Sequence, residues 1–252
     1  MIDCFMFFNE LDLLEIRLNS LAPYVERFVL VECPVSHTGH SKPLYFNENK
    51  ERFKDFNITH LIVHDYKKYI TTNPWDMEGH QRDFLINGIL DVDPETIILL
   101  SDLDEIPDLL NYKGEEGVFR QKMYYYAFNV FTGRRYWHGT IAVCRKNIIG
   151  LNDIRQKRRH TKIIPGASGW HFSDVCSAEQ IIYKLESWGH QEFNTFEIKS
   201  KIEERRNKLV DPYGRQKYKG TFKIEDPSGP DWLLNNKERY RHLFYKDDYG
   251  NH

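Results

Sequence analysis

The chain has 252 residues, of which 40% are hydrophobic and 14% aromatic, and its formal net charge is −2. This composition supports a substantial packed core and excludes a disordered chain. The near balance of charge excludes global attraction to nucleic acid, so we expect no nucleic-acid partner. Four widely spaced cysteines without CxxC spacing favour a reducing, cytoplasmic location. No apolar stretch reaches the length of a bilayer span, so we expect no transmembrane segment.

The first hundred residues alternate between strand and helix patterns. Four continuous apolar runs have the length of buried strands, namely residues 2–8, 27–33, 59–65 and 96–102. Three helical patterns lie between them, at residues 9–21, 47–56 and 76–90. The alternation predicts the α/β class, with a mainly parallel, Rossmann-like sheet and helices on both of its faces.

The second half of the chain lacks this alternation. Residues 122–131 and 138–148 are aromatic and β-branched strand candidates with no helix between them, which predicts a mixed or antiparallel extension of the same sheet. Residues 177–190 have a helical pattern, with Ser177 as its N-cap. A last amphipathic helix is predicted over residues 231–244.

An acidic stretch follows the fourth strand pattern, in the sequence IILLSDLDEIP of residues 97–107. Its crowded carboxylates require a cation, a cationic neighbour or open water. Asp102 and Asp104 alternate and so face the same side, at the carboxyl end of a strand, where parallel sheets bind ligands. Hard carboxylate oxygens suit Mg²⁺ or Mn²⁺, an ion commonly shared with phosphates. The pair therefore predicts a site for a metal and a diphosphate, and an acidic surface turn is the alternative.

A basic run, RQKRRHTK at residues 155–162, is the main local concentration of positive charge. Such a run is typical of a solvated loop. An anion or phosphate site is the alternative interpretation.

Six blocks of sequence occur in an order that resembles glycosyltransferase family 17. They are FNELDLLEIRLNSL, HTGHSKPLYF, QRDFLINGI, SDLDEIP, GWHFS and KLESWGHQEFN. The resemblance extends over nearly the whole chain. It implies a GT-A-type catalytic domain, which we place at residues 1–204, with residues 205–252 as an appendage packed on the same domain. It also implies a metal-dependent, inverting transfer from a UDP-sugar, with N-acetylglucosamine as the expected sugar and a glycan hydroxyl as acceptor.

The resemblance also implies roles for residues near the strand ends. Asp104 is expected to bind Mn²⁺ or Mg²⁺ directly, and Asp102 to contact the ribose or to reach the metal through water. Asn9 and Glu10 follow the first strand, where folds of this type bind the nucleotide base and ribose. A helix N-cap with an acid in the first turn is the alternative for these two residues.

Two arginines are candidates for the diphosphate. Arg82 lies on the helix before the acidic stretch, and a guanidinium matches phosphate oxygens well. A surface salt bridge to Asp83 or Glu78 is the alternative for Arg82. Arg215, in DPYGRQ, is expected to close over the diphosphate, and a surface turn is its alternative.

The resemblance leaves two assignments open. His190 is the first choice for a third protein ligand of the metal, and His171 is the second. A place in the core is the alternative for His171, which stands between Trp170 and Phe172. Inversion needs a base that removes the proton of the acceptor hydroxyl. Glu179, at the start of the predicted helix, is the first choice for this base, and Asp174 is the alternative.

Aromatic side chains are candidates for stacking on acceptor sugars. Trp137 is the strongest of them, because its neighbours Arg134 and His138 are polar. Tyr136, Trp188 and the tyrosines of residues 124–126 are further candidates, and a place in the core is the alternative for each of these aromatic residues.

Two other classes of function are compatible with an acidic strand end. One is a sugar- or nucleotide-binding protein without catalysis, although such a protein has little need of a repulsive carboxylate pair. The other is a metal-dependent phosphodiesterase or nucleotidyltransferase, for which the sequence lacks a second metal-ligating cluster and a glycine-rich phosphate loop.

Overall fold

The computed structural model describes residues 1–71, 73–134, 136–215 and 220–245. Its strands are β1 (Ile2–Met6), β2 (Arg27–Glu32), β3 (Ile58–Ile62), β4 (Ile97–Asp102), β5 (Glu105–Pro107), β6 (Gly117–Tyr125), β7 (Val130–Phe131), β8 (Trp137–Cys144), β9 (Gly169–Ser173) and β10 (Lys223–Ile224). Its α-helices are α1 (Leu11–Leu21), α2 (Tyr45–Asn49), α3 (Pro74–Phe84), α4 (Leu151–Gln156), α5 (Ala178–Ser187), α6 (Phe196–Lys199), α7 (Ile202–Asn207) and α8 (Asp231–Asn235).

The parallel part of the sheet has the order β3-β2-β1-β4. Alternate residues of β1 face opposite sides of the sheet. Phe5 belongs to the core beneath α1, whereas Cys4 belongs to the core beneath α3. The sheet is therefore covered by helices on both faces, because each face carries its own apolar row. Met6 pairs with Asp102, so the ends of β1 and β4 lie side by side.

The rest of the sheet is a mixed extension. β8 pairs antiparallel with β4 and with β6. β9 pairs parallel with β6 and antiparallel with β5, which sets Glu105 opposite His171. This topology confirms the prediction of an α/β fold with a parallel sheet and a mixed extension, and it brings β9 beside the acidic turn.

Several predicted elements differ in burial or length. The strand predicted at residues 59–65 corresponds to β3, which forms one edge of the sheet and is half-buried along its length. The helix predicted over residues 231–244 divides into α8 and a 3₁₀ segment at Asn236, whose backbone angles of φ −117° and ψ 24° are not helical. The N-cap at Ser177 is confirmed, and its side chain forms a capping box with Gln180.

The described C-terminal residues pack against the same body. Leu233 and Tyr240 join the core that contains α1, and the Tyr240 hydroxyl donates a hydrogen bond to Glu15 at 2.8 Å. Phe222 stacks on Tyr125 of β6 with a centroid separation of 5.6 Å. The boundary at residue 204 stays a prediction. Among the described residues, no helix is long and apolar enough to cross a membrane.

Candidate active site

A cavity of about 740 Å³ opens at the carboxyl ends of β1 and β4. Its wall includes most of the site residues that the sequence indicates, namely Glu10, Arg82, Asp102, Asp104, His171, His190 and Arg215. The structure therefore brings the acidic turn, both candidate histidines and both candidate arginines to one place. Asn9, Asp174 and Glu179 are not on this wall.

Arg17 holds the backbone of the acidic turn, a role that the sequence analysis missed. Its Nε and Nη2 donate to the two carboxylate oxygens of Asp3 at 2.8 and 2.7 Å. Its Nη1 donates to the carbonyl oxygens of Asp102, Leu103 and Glu105 at 3.2, 3.1 and 2.9 Å. Arg17 and Asp3 are fully buried, so the turn is tied to the core by an ion pair shielded from water.

Arg155 neutralises two carboxylates of the turn. Its Nη1 and Nη2 each donate to Glu105 at 2.7 Å, and Nη2 also donates to Asp102 at 2.6 Å. The Trp137 indole donates to Glu105 at 2.6 Å. The interpretation of Arg155 as part of a solvated loop is wrong, because its side chain is only 3% exposed.

Arg82 makes the second contact with Asp102. Its Nη2 lies 3.1 Å from Asp102 and 2.9 Å from Glu78. The alternative of a surface salt bridge is wrong, because Arg82 is buried, although Glu78 is indeed a partner. Burial alone raises the pKa of Asp102, but Arg155 and Arg82 outweigh burial and hold this pKa well below its usual range. The protein's own guanidinium groups thus supply part of the positive charge that the acidic stretch requires.

Asp104 and His171 form the pair best suited to a metal. His171 Nε2 lies 3.4 Å from Asp104 Oδ2, and the buried His171 Nδ1 has no hydrogen-bond partner among the described residues. Burial opposes the charged form of each side chain. Nevertheless, His171 lowers the pKa of Asp104, and Asp104 raises the pKa of His171. The described residues contain no cluster of three metal-ligating side chains. A carboxylate and an imidazole nevertheless fit Mn²⁺ or Mg²⁺ when substrate phosphates complete the coordination.

His190 has a different partner from His171. Its Nδ1 lies 2.6 Å from Glu192 Oε1, and its ring packs edge-on against Trp75 and Trp188, with centroid separations of 4.6 Å. The contact between His171 and Asp104 makes His171 the stronger candidate for the metal, reversing the order that the sequence favours.

Neither carboxylate that the sequence selects as a base reaches the cavity. Asp174 is buried, accepts a hydrogen bond from the Tyr213 hydroxyl at 2.5 Å and lies 3.3 Å from Lys184 Nζ. Glu179 is exposed in the first turn of α5, where Ser177 and its own backbone amide lower its pKa. Lys184, on the same helix, does line the cavity, so Glu179 occupies another face of the helix. These positions argue against either residue as the base.

Lys184 is a cavity residue that the sequence patterns did not indicate. Its Nζ lies 3.7 Å from Glu10 Oε1. Burial opposes its charge, but Asp174, Glu10 and Asp104 outweigh burial and raise the pKa of Lys184 well above its usual value.

The N-cap residue of α1 is Glu10, whose side chain makes no capping hydrogen bond. The N-cap alternative for Asn9 is therefore wrong, since Asn9 precedes the cap.

Arg215 and the aromatic residues complete the wall. The Arg215 guanidinium donates to the Tyr125 hydroxyl at 2.7 Å and to Asp211 at 2.6 Å. Trp137 and Trp188 line the cavity, and Tyr136 is 59% exposed. The tyrosines of residues 124–126 are buried, so they belong mainly to the core.

Comparisons with known proteins agree with the resemblance seen in the sequence. Curated proteins named "Beta-1,4-mannosyl-glycoprotein 4-beta-N-acetylglucosaminyltransferase", from rat and human, are 24% identical to this chain over 290 residues, or 93% of the chain. The chain spans about half the length of these relatives, 52% and 53% respectively.

Two solved structures are also similar. One is the galactosyltransferase LgtC in complex with donor and acceptor sugar analogues, with 12% identity, a TM-score of 0.35 and coverage of 96% of this chain and 95% of that chain. The other is the glycosyltransferase GlyE of Streptococcus pneumoniae TIGR4, with 16% identity, a TM-score of 0.30 and coverage of 62% and 36%.

The sequence model of glycosyltransferase family 17 matches residues 1–210, which is most of the chain. This match extends from β1 through α7 and includes the acidic turn, β9 and α5. The chain belongs to glycosyltransferase family 17.

Proposed function

We propose that this chain transfers a sugar, N-acetylglucosamine, from a UDP-sugar to a glycan hydroxyl, with Mn²⁺ or Mg²⁺ and with inversion at the anomeric carbon. The observation that carries the proposal is the contact between Asp104 and His171 at the cavity wall, beside the arginine-bound Asp102. Family membership and the activity for which the relatives are named support the choice of reaction and sugar.

Asp104 and His171 would hold the metal at the end of β4. When bound, the ion would neutralise charge on the departing nucleoside diphosphate. Asp102 orients Arg82 and Arg155, since each of its oxygens accepts a hydrogen bond from one of them. These guanidinium groups then face the diphosphate in a fixed geometry.

Other residues of the cavity wall fit the nucleotide and the phosphate charge. Lys184 and Arg215 lie on the wall and add positive charge for the diphosphate. Glu10 lies at the end of β1 and accepts a hydrogen bond from the Asn9 amide at 3.0 Å, which fixes its carboxylate near the cavity. We assign the ribose to this carboxylate, because a carboxylate accepts hydrogen bonds from sugar hydroxyls.

We assign the base to the pair of His190 and Glu192. Glu192 contacts Nδ1 of the imidazole and so favours the tautomer in which Nε2 is free to accept a proton. Packing against Trp75 and Trp188 fixes the ring on the cavity wall. Unlike Asp174 and Glu179, these two residues line the cavity.

Replacement of His190 by glutamine is expected to lower kcat about a hundredfold, because a positioned base contributes at least this much. The KM for the UDP-sugar should change little, since His190 would contact the acceptor hydroxyl. Initial rates at varied donor concentration check this. His160→Gln, another histidine of the cavity wall, is the control. A His190→Gln enzyme within threefold of the wild-type kcat would exclude the assignment.

Product analysis tests the proposed function itself. UDP release is measured with a panel of UDP-sugars and glycan acceptors in the presence of Mn²⁺, and the product linkage is read by NMR. We expect UDP-N-acetylglucosamine to be turned over and its α-linked sugar to appear in a β linkage. An α-linked product would exclude inversion, and UDP binding without turnover of any donor would indicate a binding protein.

A further inference from the structure

Four arginines lie around residues 136–138, at the start of β8. The guanidinium carbons of Arg134 and Arg158 lie 5.1 and 5.5 Å from the centroid of the Trp137 ring, and that of Arg120 lies 4.9 Å from the centroid of Tyr136. Arg159 follows Arg158 and lines the cavity with it. We call these four arginines the cationic rim.

Two arginines of the cationic rim, Arg158 and Arg159, differ from the arginines of the acidic turn in their partners. Arg17, Arg82 and Arg155 each contact a carboxylate at 3.1 Å or less. In contrast, Arg158 and Arg159 form no ion pair with any carboxylate of the described residues, and Arg158 donates only to the carbonyl oxygen of Arg155. A chain with a net charge of −2 thus places two arginines that lack an ion pair with the described carboxylates on the wall of its cavity.

The arginines of the rim also act on a common neighbour. Burial lowers the pKa of His138, and Arg120, Arg134, Arg158 and Arg159 lower it further. Their common effect on one imidazole is consistent with the ring contacts, which gather these arginines around residues 136–138. The positive potential of the rim is therefore local and shared.

A second cavity of about 550 Å³ adjoins the rim at Arg120. Arg120, Lys122 and Tyr136 line it together with apolar residues and Trp170, and no acidic residue is part of its described wall. The buried Nε of Arg120 has no hydrogen-bond partner among the described residues. Such a wall suits a sugar chain that carries anionic groups, because it offers guanidinium donors beside apolar surface.

We propose that the acceptor glycan carries phosphate or carboxylate groups, and that the cationic rim binds these groups while the acceptor hydroxyl reaches the cavity. The inference rests on the proposed function, because it assigns the rim to the acceptor.

The proposal also revises the role of Trp137. Two guanidinium groups lie against its indole ring, so Trp137 holds arginines for an anion instead of offering a free face to a sugar.

Binding of matched oligosaccharides, measured by calorimetry, tests the proposal. The probes are mannopentaose, its phosphate monoester and tetragalacturonate, so that neutral, phosphorylated and carboxylated chains are compared. We expect at least one anionic probe to bind about tenfold more tightly than mannopentaose, since a charge-assisted hydrogen bond supplies at least 1.4 kcal/mol. The better of the two anionic probes identifies the group. Equal binding of all three probes, or no binding, would overturn the proposal.

The variant Arg158→Gln/Arg159→Gln is expected to lose this preference, with about tenfold weaker binding of the anionic probe. The control Lys157→Gln/Lys162→Gln removes the same charge from the same segment, at exposed residues outside both cavities, and should keep the preference. Equal loss in both variants would overturn the proposal, since only total charge would then matter.

UDP binding, measured separately, distinguishes failure of the proposed function from failure of the proposed acceptor class. Its absence refutes the proposed function, whereas intact UDP binding without anionic preference refutes only the acceptor class.

Discussion

Replacing Asp104 by asparagine is expected to reduce metal-stimulated UDP release about a thousandfold. Asp104 is the carboxylate of the turn that contacts His171 and no arginine of the described residues, whereas Asp102 contacts two arginines. It is therefore the oxygen ligand most available to a divalent cation. Loss of the ion removes several kcal/mol of charge stabilisation in the transition state, which corresponds to the expected factor.

The rate of UDP release at saturating donor, with Mn²⁺ varied, checks the Asp104→Asn result. Asp108→Asn is the matched control, because it removes another carboxylate of the same acidic stretch that contacts Ser168 and is not on the cavity wall. We expect the control to keep most of the activity. An Asp104→Asn enzyme with near wild-type rates and unchanged Mn²⁺ dependence would show that Asp104 does not hold the metal.

Replacing Arg155 by methionine is expected to lower the free energy of unfolding by about 3–5 kcal/mol, the usual cost of breaking a buried ion pair. Arg155 and Glu105 have side-chain exposures of 3% and 0%. Without the guanidinium, the Glu105 carboxylate stays buried with no cationic partner, and the turn that carries Asp102 loses a support. Urea denaturation followed by circular dichroism measures the change.

Two further variants separate the ion pair from general damage to α4. Lys157→Met, adjacent to the helix and exposed, should change stability by less than about 0.5 kcal/mol, because its pair with Asp153 lies in solvent. The double variant Arg155→Met/Glu105→Gln should be more stable than Arg155→Met alone, since it removes the stranded charge. Equal stability of Arg155→Met and wild type would contradict this account of the acidic turn.

The fold class was predictable from the sequence, because each of the four predicted segments that correspond to β1 to β4 contains at least three consecutive apolar residues. The alternation of these segments with helical patterns is typical of the α/β class. Strand burial was less predictable. Residues 59–65 have a shorter apolar stretch than the other runs, and β3 lies at the edge of the sheet, a position that only the order of pairing determines.

The sequence indicated that Asp102 and Asp104 lie at a ligand site, because these two carboxylates stand at the end of a predicted strand. Both line the cavity. Arg17 was missed, although its position was a signal. It lies three residues after Leu14, on the apolar face of α1, and Asp3 interrupts the apolar run of β1. Two opposite charges in apolar patterns indicate a buried pair, but only the tertiary structure shows that they meet and that Arg17 also binds the turn.

The sequence could not indicate which side chains near α5 reach the cavity, because the phase of the helix decides it. Glu179 lies in the first turn of α5, whereas the cavity is lined by Lys184 of that helix and by His190 and Glu192 beyond its end. A residue's distance along the chain from a motif says little about the face of the helix it occupies.

The central claim is that the cavity binds a nucleoside diphosphate together with a divalent metal. Calorimetric titration of UDP into the wild-type protein, first with Mn²⁺ and then with EDTA, tests it most directly. We predict binding that depends on Mn²⁺ and that is lost with EDTA or in the Asp104→Asn variant. Absence of UDP binding in both conditions would contradict the claim, and the acidic turn would then be a structural element held by its own arginines.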